Sequence, residues 1–252
     1  MKIVVCIKHV PDVQSERRIE DARLVRGEDD VLNELDENAV EAAVSLAEEL
    51  DAEVVALTMG PEDAEDAIRR ALQMGADSGV VVSDDELAGA DVVATARVLA
   101  AAIERIGDVD LVVTGMASLD ALTSMLPGAL AAALGMPALT LASSLEASAE
   151  DVTITRTTGT LSEVLSAPLP ALVSVTDQAN EPRYPNFAAM RAAKKKPVDT
   201  WDLADLGLQP RPAAVEVVDA ESRPARQAGT IRTDAGEAGR ELAAWLVDSK
   251  LV

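Results

Sequence analysis

Two short segments carry the residue types that could hold a nucleotide-sized ligand. Lys8-His9-Val10-Pro11-Asp12 leaves the first apolar run of the chain, and Gly115-Met116-Ala117-Ser118-Leu119-Asp120-Ala121-Leu122-Thr123 leaves the fourth. In an open parallel sheet, ligands sit at the carboxyl ends of the strands, where strand order reverses. With the first strand central, these two segments wall that crevice. The second runs from a glycine toward a helix start, where free backbone amides favour an anionic group such as phosphate. Thr123 or Ser124 could cap that helix or touch the phosphate. His9, the sole histidine, could be a lone acid or base, or a polar loop residue beside a ligand.

The inventory for catalysis is thin. G-x-G-x-x-G does not follow the first strand, and neither the P-loop pattern nor a G-x-S-x-G elbow occurs. One histidine and one cysteine allow no triad and no histidine-rich zinc site. We assign no catalytic residue and no metal ligand. Cys6, in an apolar strand-like run, reads as a small buried hydrophobe.

A different chemistry, that of contact, is written further along. The only Tyr and the only Phe, Tyr184 and Phe187, lie three positions apart beside Pro182 and Pro185, in a run that a helix or strand would struggle to include. A chain with 2% aromatics could have buried both rings. Three of its six lysines, Lys194 to Lys196, follow at once. We read the stretch as a surface that touches another molecule, with Arg183, Tyr184 and Phe187 in contact. For Lys194 and Lys195 a docking patch and a solvated helix end are equally open.

The elements that must position these residues follow from hydrophobic periodicity. Apolar runs at Lys2–Ile7, Glu53–Thr58, Gly79–Val82, Leu111–Thr114 and Ala138–Leu141 read as strands. Helical stripes cover Asp36–Leu50, Pro61 to Met74, Asp91–Ile106 and Thr123–Leu134. This alternation predicts an α/β, Rossmann-like fold, a mostly parallel sheet with helices on both faces. Shorter runs at Val152–Arg156, Leu161–Leu165 and Ala171–Val175 are expected to extend that sheet. Asp12–Leu32 reads as a hairpin or long loop. The domain is predicted over residues 1–198, with the contact loop at about 180–197. Residues 199–252, punctuated by Pro210, Pro212 and Pro224 and ending in a helix at Ala238–Val247, form a polar arm expected to lie on a partner.

Composition narrows the function. Forty-four acidic residues face 22 basic ones, a formal charge of −22. Such a surface repels nucleic acid and anionic lipid, so neither is expected as a partner. Many acids and few lysines suit a salt-rich cytoplasm, where self-repulsion is screened. The uncharged span Ala121 to Leu145 is broken by Pro127, Gly128, Gly135 and Pro137, which argues against a membrane helix. The start lacks a signal-peptide pattern, so a cytoplasmic location is expected.

Several segments together resemble the beta subunit of electron transfer flavoprotein. They are Lys2 to Asp12, Asn33-Glu34-Leu35-Asp36-Glu37-Asn38-Ala39, Gly60-Pro61 with Arg70 to Asp77, and Asp110 to Gly115. The most specific is Asn180-Glu181-Pro182-Arg183-Tyr184 followed by the lysine triplet. The resemblance implies a heterodimer with an alpha subunit that holds most of an FAD. It implies electron transfer from acyl-CoA or similar dehydrogenases toward a quinone oxidoreductase, with the flavin supplying the redox chemistry. It implies an AMP, or a second FAD, in the crevice, near Lys8, His9, Val10, Asn33, Leu35, Asp36, Met59, Gly115, Asp120 and Thr123. It places Phe187 at the tip of a recognition loop.

Two stretches depart from the family. Where it usually reads Gly-Asp-Thr-Gly-Gln after the aspartate, this chain has Ala121-Leu122-Thr123-Ser124-Met125. Arg156 and Glu163 survive, but the acidic stretch between them does not. A non-redox, nucleotide-binding regulatory domain of the same α/β superfamily is the alternative reading.

Overall fold

In the computed structural model the Val-rich runs pair in parallel, because each is apolar on both sides and can be covered only by helices on both faces. The structure describes every residue except 16, 216, 222, 223, 225 and 232. The chain opens with β1 (Lys2–Cys6), β2 (His9–Pro11), β3 (Ile19–Glu20), β4 (Arg23–Leu24) and β5 (Asp30–Leu32). Then come α1 (Glu34–Leu50), β6 (Glu53–Met59), α2 (Glu65–Met74), β7 (Ser78–Val82) and α3 (Val92–Ile106). The middle holds β8 (Leu111–Gly115), α4 (Leu126–Leu134), β9 (Ala138–Ala142), β10 (Ser144–Ala147) and β11 (Asp151–Thr158). β12 (Leu161–Pro168), β13 (Ala171–Val175), α5 (Phe187–Ala193), β14 (Val198–Trp201) and α6 (Ala238–Asp248) complete it.

Seven strands form one sheet in the order β14-β7-β6-β1-β8-β13-β9, every pairing parallel. The two strands that follow β1 through helices step away on one side, to β6 and β7, and the chain then crosses to β8 on the other. β1 is therefore central, and strand order reverses between β1 and β8, the place the sequence assigned to the crevice.

Alternation along β1 sends Ile3 and Val5 to one face and Val4 and Cys6 to the other. The first face packs on Val40 and Val44 of α1 and on Ile68 and Leu72 of α2. The second packs on Leu99 and Ile103 of α3 and Leu130 of α4. Each such side chain, removed from water, contributes about 1.5–3 kcal/mol. Helix ends are placed by local chemistry. Asp91 caps α3, its carboxylate accepting from the Val93 and Ala94 amides. Gly75 ends α2 at φ +139, where an added Cβ would stand 2.6 Å from Val44.

Three expectations need correction. The runs at Val152–Arg156 and Leu161–Leu165 do not extend the parallel sheet. With β10 they form a separate three-stranded antiparallel sheet, while Ala171–Val175 alone enters the main one, between β8 and β9. A hairpin's short-range pairing outcompetes a distant sheet edge. Second, α4 begins at Leu126, not Thr123; its N-cap is Met125, without a side-chain cap, and Thr123 and Ser124 are exposed loop residues. Pro127 fixes the start, since proline is tolerated in a first turn and not deeper. Third, Phe187 and its neighbours are helical. Asn186 caps α5 by accepting from the Ala189 amide, so Phe187 stands in its first turn.

The compact unit that contains the sheet runs from Met1 to Ala220. Residues 198–201, at the predicted start of the arm, add the edge strand β14 to β7. The second unit, Glu221–Val252, contains α6, whose Leu242, Trp245 and Val247 are exposed. After β2, the chain forms a two-residue ribbon, β3 with β4, and returns as β5, which pairs antiparallel with β2. Among the described residues no helix is long and apolar enough to cross a membrane.

Candidate functional site

The crevice is built where β1 and β8 end. Asp36, in the first turn of α1, is buried beneath it and accepts the Lys8 amide at 2.9 Å. Burial pushes its carboxyl up to about 7, against the pull of Asn33, of the Lys8 and Gly115 amides and of the Lys8 charge. Gly115 is required here: a Cβ would lie 2.3 Å from Asp36 Oδ1 and 2.7 Å from the Leu35 carbonyl. Cys6, one strand residue away from the turn, has its thiol pushed up to about 12 by burial and by Asp36. It is inert packing.

Asn33, fully buried, ties the β8 loop to α1. Its Nδ2 donates to the Ala117 carbonyl at 2.9 Å, and its Oδ1 accepts the Leu119 amide at 3.0 Å. Lys8 Nζ reaches Asp120 at 2.9 Å, and the Asp120 side chain is almost fully covered. Arg26 meets the same carboxylate. Burial alone would raise the Asp120 carboxyl, but the Lys8 charge and the bonds from Lys8, Arg26 and Ser118 bring it down to about 2. Arg17 adds a bond to the Leu119 carbonyl at 3.1 Å. The 12–32 excursion thus folds back over the crevice and is held there by its arginines.

The structure brings Lys8, Asn33, Asp36, Gly115 and Asp120 together. Leu35 contributes its carbonyl beside Gly115. Val10 is buried in β2, and Met59 ends β6 partly buried on the α3 and α4 face. Thr123 stands exposed in the loop. His9 lies on β2 with both ring nitrogens buried and without a hydrogen-bond partner. Sequence reasoning missed Arg17, Arg26 and Thr114; Thr58 falls in the segment Thr58–Gly60 that the resemblance implies beside the nucleotide, and Thr58 and Thr114 are buried hydroxyls without partners at the carboxyl ends of β6 and β8. A single hydroxyl at the end of each apolar run was the signal available for the threonines.

A second constellation sits on the other end of α1. Asn38, Glu41, Ser45 and Glu48 make a polar stripe at helical spacing on an otherwise Ala- and Val-rich helix. Asn38 and Asn180 exchange bonds of 3.0 Å, each amide donating to the other's main-chain carbonyl. Arg183 grips Glu41 with Nε at 2.8 Å and a second nitrogen at 3.0 Å, and Glu48 at 2.6 Å. Burial raises the Glu41 carboxyl, but the Arg183 bonds and charge outweigh it and hold the group below the usual carboxylate range. Arg70, paired with Glu37 at 3.0 Å, lies 5.5 Å from the Tyr184 ring centre. With that base fixed, Tyr184 and Phe187 each remain 88% exposed. Lys196 is drawn inward to the end of α2, donating to the Leu72 and Gly75 carbonyls at 3.3 and 3.2 Å, whereas Lys194 and Lys195 stay exposed. Arg156 and Glu163 pair with each other across β11 and β12 at 2.8 Å.

Comparison with known proteins agrees with this geometry. Residues 22–206 match the electron transfer flavoprotein domain. The chain is 38% identical to electron transfer flavoprotein subunit beta of Mycobacterium tuberculosis, over 99% of both chains. It is 34% identical to the caffeyl-CoA reductase-Etf complex subunit CarD of Acetobacterium woodii, over 100% of this chain and 98% of the relative. To the beta subunit of Megasphaera elsdenii it is 32% identical, over 81% and 79%. The parallel sheet, the crevice at its switch point and these full-length likenesses establish that the chain belongs to the electron transfer flavoprotein family, as a beta subunit.

Proposed function

We propose that this chain is half of a heterodimeric electron carrier whose alpha subunit holds most of an FAD. The pair takes electrons from acyl-CoA or similar dehydrogenases and passes them toward a quinone oxidoreductase. The observation that carries this reading is the pair of bare rings, Tyr184 on a loop whose base is locked to α1 and Phe187 in the first turn of the helix α5 that follows it. Exposed aromatic anchors on a rigid support are suited to transient, repeated docking, since little conformational freedom is lost on binding.

FAD supplies the one- and two-electron chemistry when bound. This chain supplies a wall: Val13, Leu122 and Met125, exposed on the two segments that flank the crevice, offer the apolar surface a flavin ring packs on. The same reading gives the crevice a nucleotide such as AMP. Lys8 and Arg26, two cations sharing the one Asp120 carboxylate, supply positive charge for its phosphate.

Replacing Phe187 with Asp tests the docking role. Co-expressed with its alpha subunit, the variant should give a yellow complex of unchanged flavin content and thermal midpoint, reduced at least tenfold more slowly by an acyl-CoA dehydrogenase at limiting concentration. Unchanged reduction would remove the loop from docking. A colourless monomer that binds ATP would favour the regulatory reading.

A further inference from the structure

Pro11 and Leu32 are buried, and between them no described residue is. The stretch nonetheless has a frame of its own. Ile19 pairs with Leu24 and Glu20 with Arg23 across a two-residue turn, Asp21-Ala22, that holds both residues at positive φ, as a tight hairpin requires. Arg18 pairs with Glu28, and the Asp12 amide donates to the Asp29 carbonyl at 3.0 Å, which staples the base. Among the described residues, the hydrogen bonds and ion pairs that tie residues 17–28 to the rest of the domain come from two arginines. Arg17 donates to the Leu119 carbonyl at 3.1 Å, and Arg26 to the His9 carbonyl at 3.3 Å and to the Asp120 carboxylate. A segment without buried apolar contacts opens at little free-energy cost, and opening this one breaks those contacts.

The contact with the β8 loop is electrically incomplete. Lys8 and Arg26 converge on the single Asp120 carboxylate, whose side chain is 2% exposed, so this corner of the crevice holds two cations against one anion. A phosphate monoester entering beside Lys8 restores the balance. The Arg26 guanidinium has five N–H donors in a planar fork, enough to hold Asp120 and a phosphate oxygen at once. It reaches such a ligand only while the segment lies over the crevice, so the ligand favours the closed arrangement by that difference in contact. We propose that residues 17–28 are a strap that opens to admit the ligand of the crevice and is latched over it when the ligand's phosphate engages Arg26. The proposal rests on the nucleotide reading of the crevice and adds the moving part that governs entry and release.

The two arginines give the test different signatures. Flavin-loaded heterodimer, freed of nucleotide, is followed by hydrogen exchange with AMP, adenosine, potassium phosphate or potassium chloride at equal ionic strength. Amides of residues 17–26 should exchange about tenfold more slowly with AMP than with adenosine or chloride, and phosphate should give part of that effect. The Arg17 contact exists in the closed strap with or without ligand. Arg17→Ala should therefore speed association and dissociation of radiolabelled AMP together, severalfold, and leave Kd within about twofold of the parent. Arg26→Ala should speed AMP dissociation about tenfold and weaken its binding, with adenosine unaffected. If Arg26→Ala weakens AMP and adenosine alike, Arg26 only props the loop and the latch is overturned. If AMP binds but neither the exchange nor the Arg17→Ala rates respond, the strap is fixed and the nucleotide reading alone survives. If AMP does not bind while phosphate slows exchange beyond chloride, the nucleotide reading fails and the strap stands as one that closes on an inorganic anion. Slowing by neither anion overturns the strap.

Discussion

The two ends of α1 solve opposite problems with similar residues. At its first turn, Asp36 and Asn33 face inward, buried among amides and a glycine, and every approach is close. Along its later turns, Asn38, Glu41 and Glu48 face outward to hold a loop whose tip is left bare. The crevice is polar groups enclosed by apolar ones; the loop is apolar rings raised on polar supports. A charge in the first setting is disfavoured by burial, whereas a charge in the second is stabilised by its partner. The carboxyls record this, Asp36 pushed up and Glu41 held down.

That contrast can be broken most severely through Asp36. Its carboxyl keeps a proton up to about 7 in the native protein, whereas the unfolded chain releases it near 3.8. Between those values the unfolded state binds fewer protons, so this group lowers stability as pH rises through the window and is level above it. The total is of the order of 4 kcal/mol, at about 1.4 kcal/mol per pKa unit. Asp36→Asn should abolish that fall, seen as a pH-dependent difference in urea midpoint between variant and parent. A difference that stays constant from pH 4 to pH 8 would mean that Asp36 is not buried as described.

Gly115→Val comes next. The new side chain meets Asp36 and the Leu35 carbonyl and must displace α1, at a cost of about 3 kcal/mol. A lowered thermal midpoint and exposure of the crevice to hydrogen exchange are expected; retention of the parent midpoint would show that the strand end is looser than it looks.

Arg183→Ala is the mild, sharper counterpart at the other end of α1. It leaves Glu41 covered and unpaired, costing about 2 kcal/mol. The Glu41 contribution is present above the ordinary carboxylate range and is lost as pH falls, the reverse of Asp36. The loss of stability in Arg183→Ala should therefore be full at pH 7 and shrink below pH 4. Protection from proteolysis between residues 177 and 186 should fall with it. Unaltered protection would show that the prolines alone hold the loop.

The chain's local patterns announced a good deal of this. Runs such as Ile3-Val4-Val5 and Leu111-Val112-Val113 carry their strand assignment in six residues or fewer, because burial on both faces leaves no room for a polar position. Tyr184 was legible as exposed because Pro182 and Pro185 exclude a helix or strand around it, whereas the helix that starts at Phe187 was not. Close approach at Gly115 was half visible, as a glycine leaving a strand with no sign of what it must clear.

What tertiary structure alone decided are the partnerships. Nothing near Arg183 in the sequence points to Glu41, 142 positions earlier. Nothing near Lys8 points to Asp120, 112 positions later. In a chain with 44 acidic residues any cation has many candidate partners, and only the crossing of strand order at β1 and β8 selects among them. The same holds for the stretch from Asp151 to Pro168, β-like in sequence, which pairs with itself and not with the main sheet. Side-chain period is a property of neighbours along the chain and can be read there; which edges, charges and cavities meet depends on long-range packing free energy, which no short window contains.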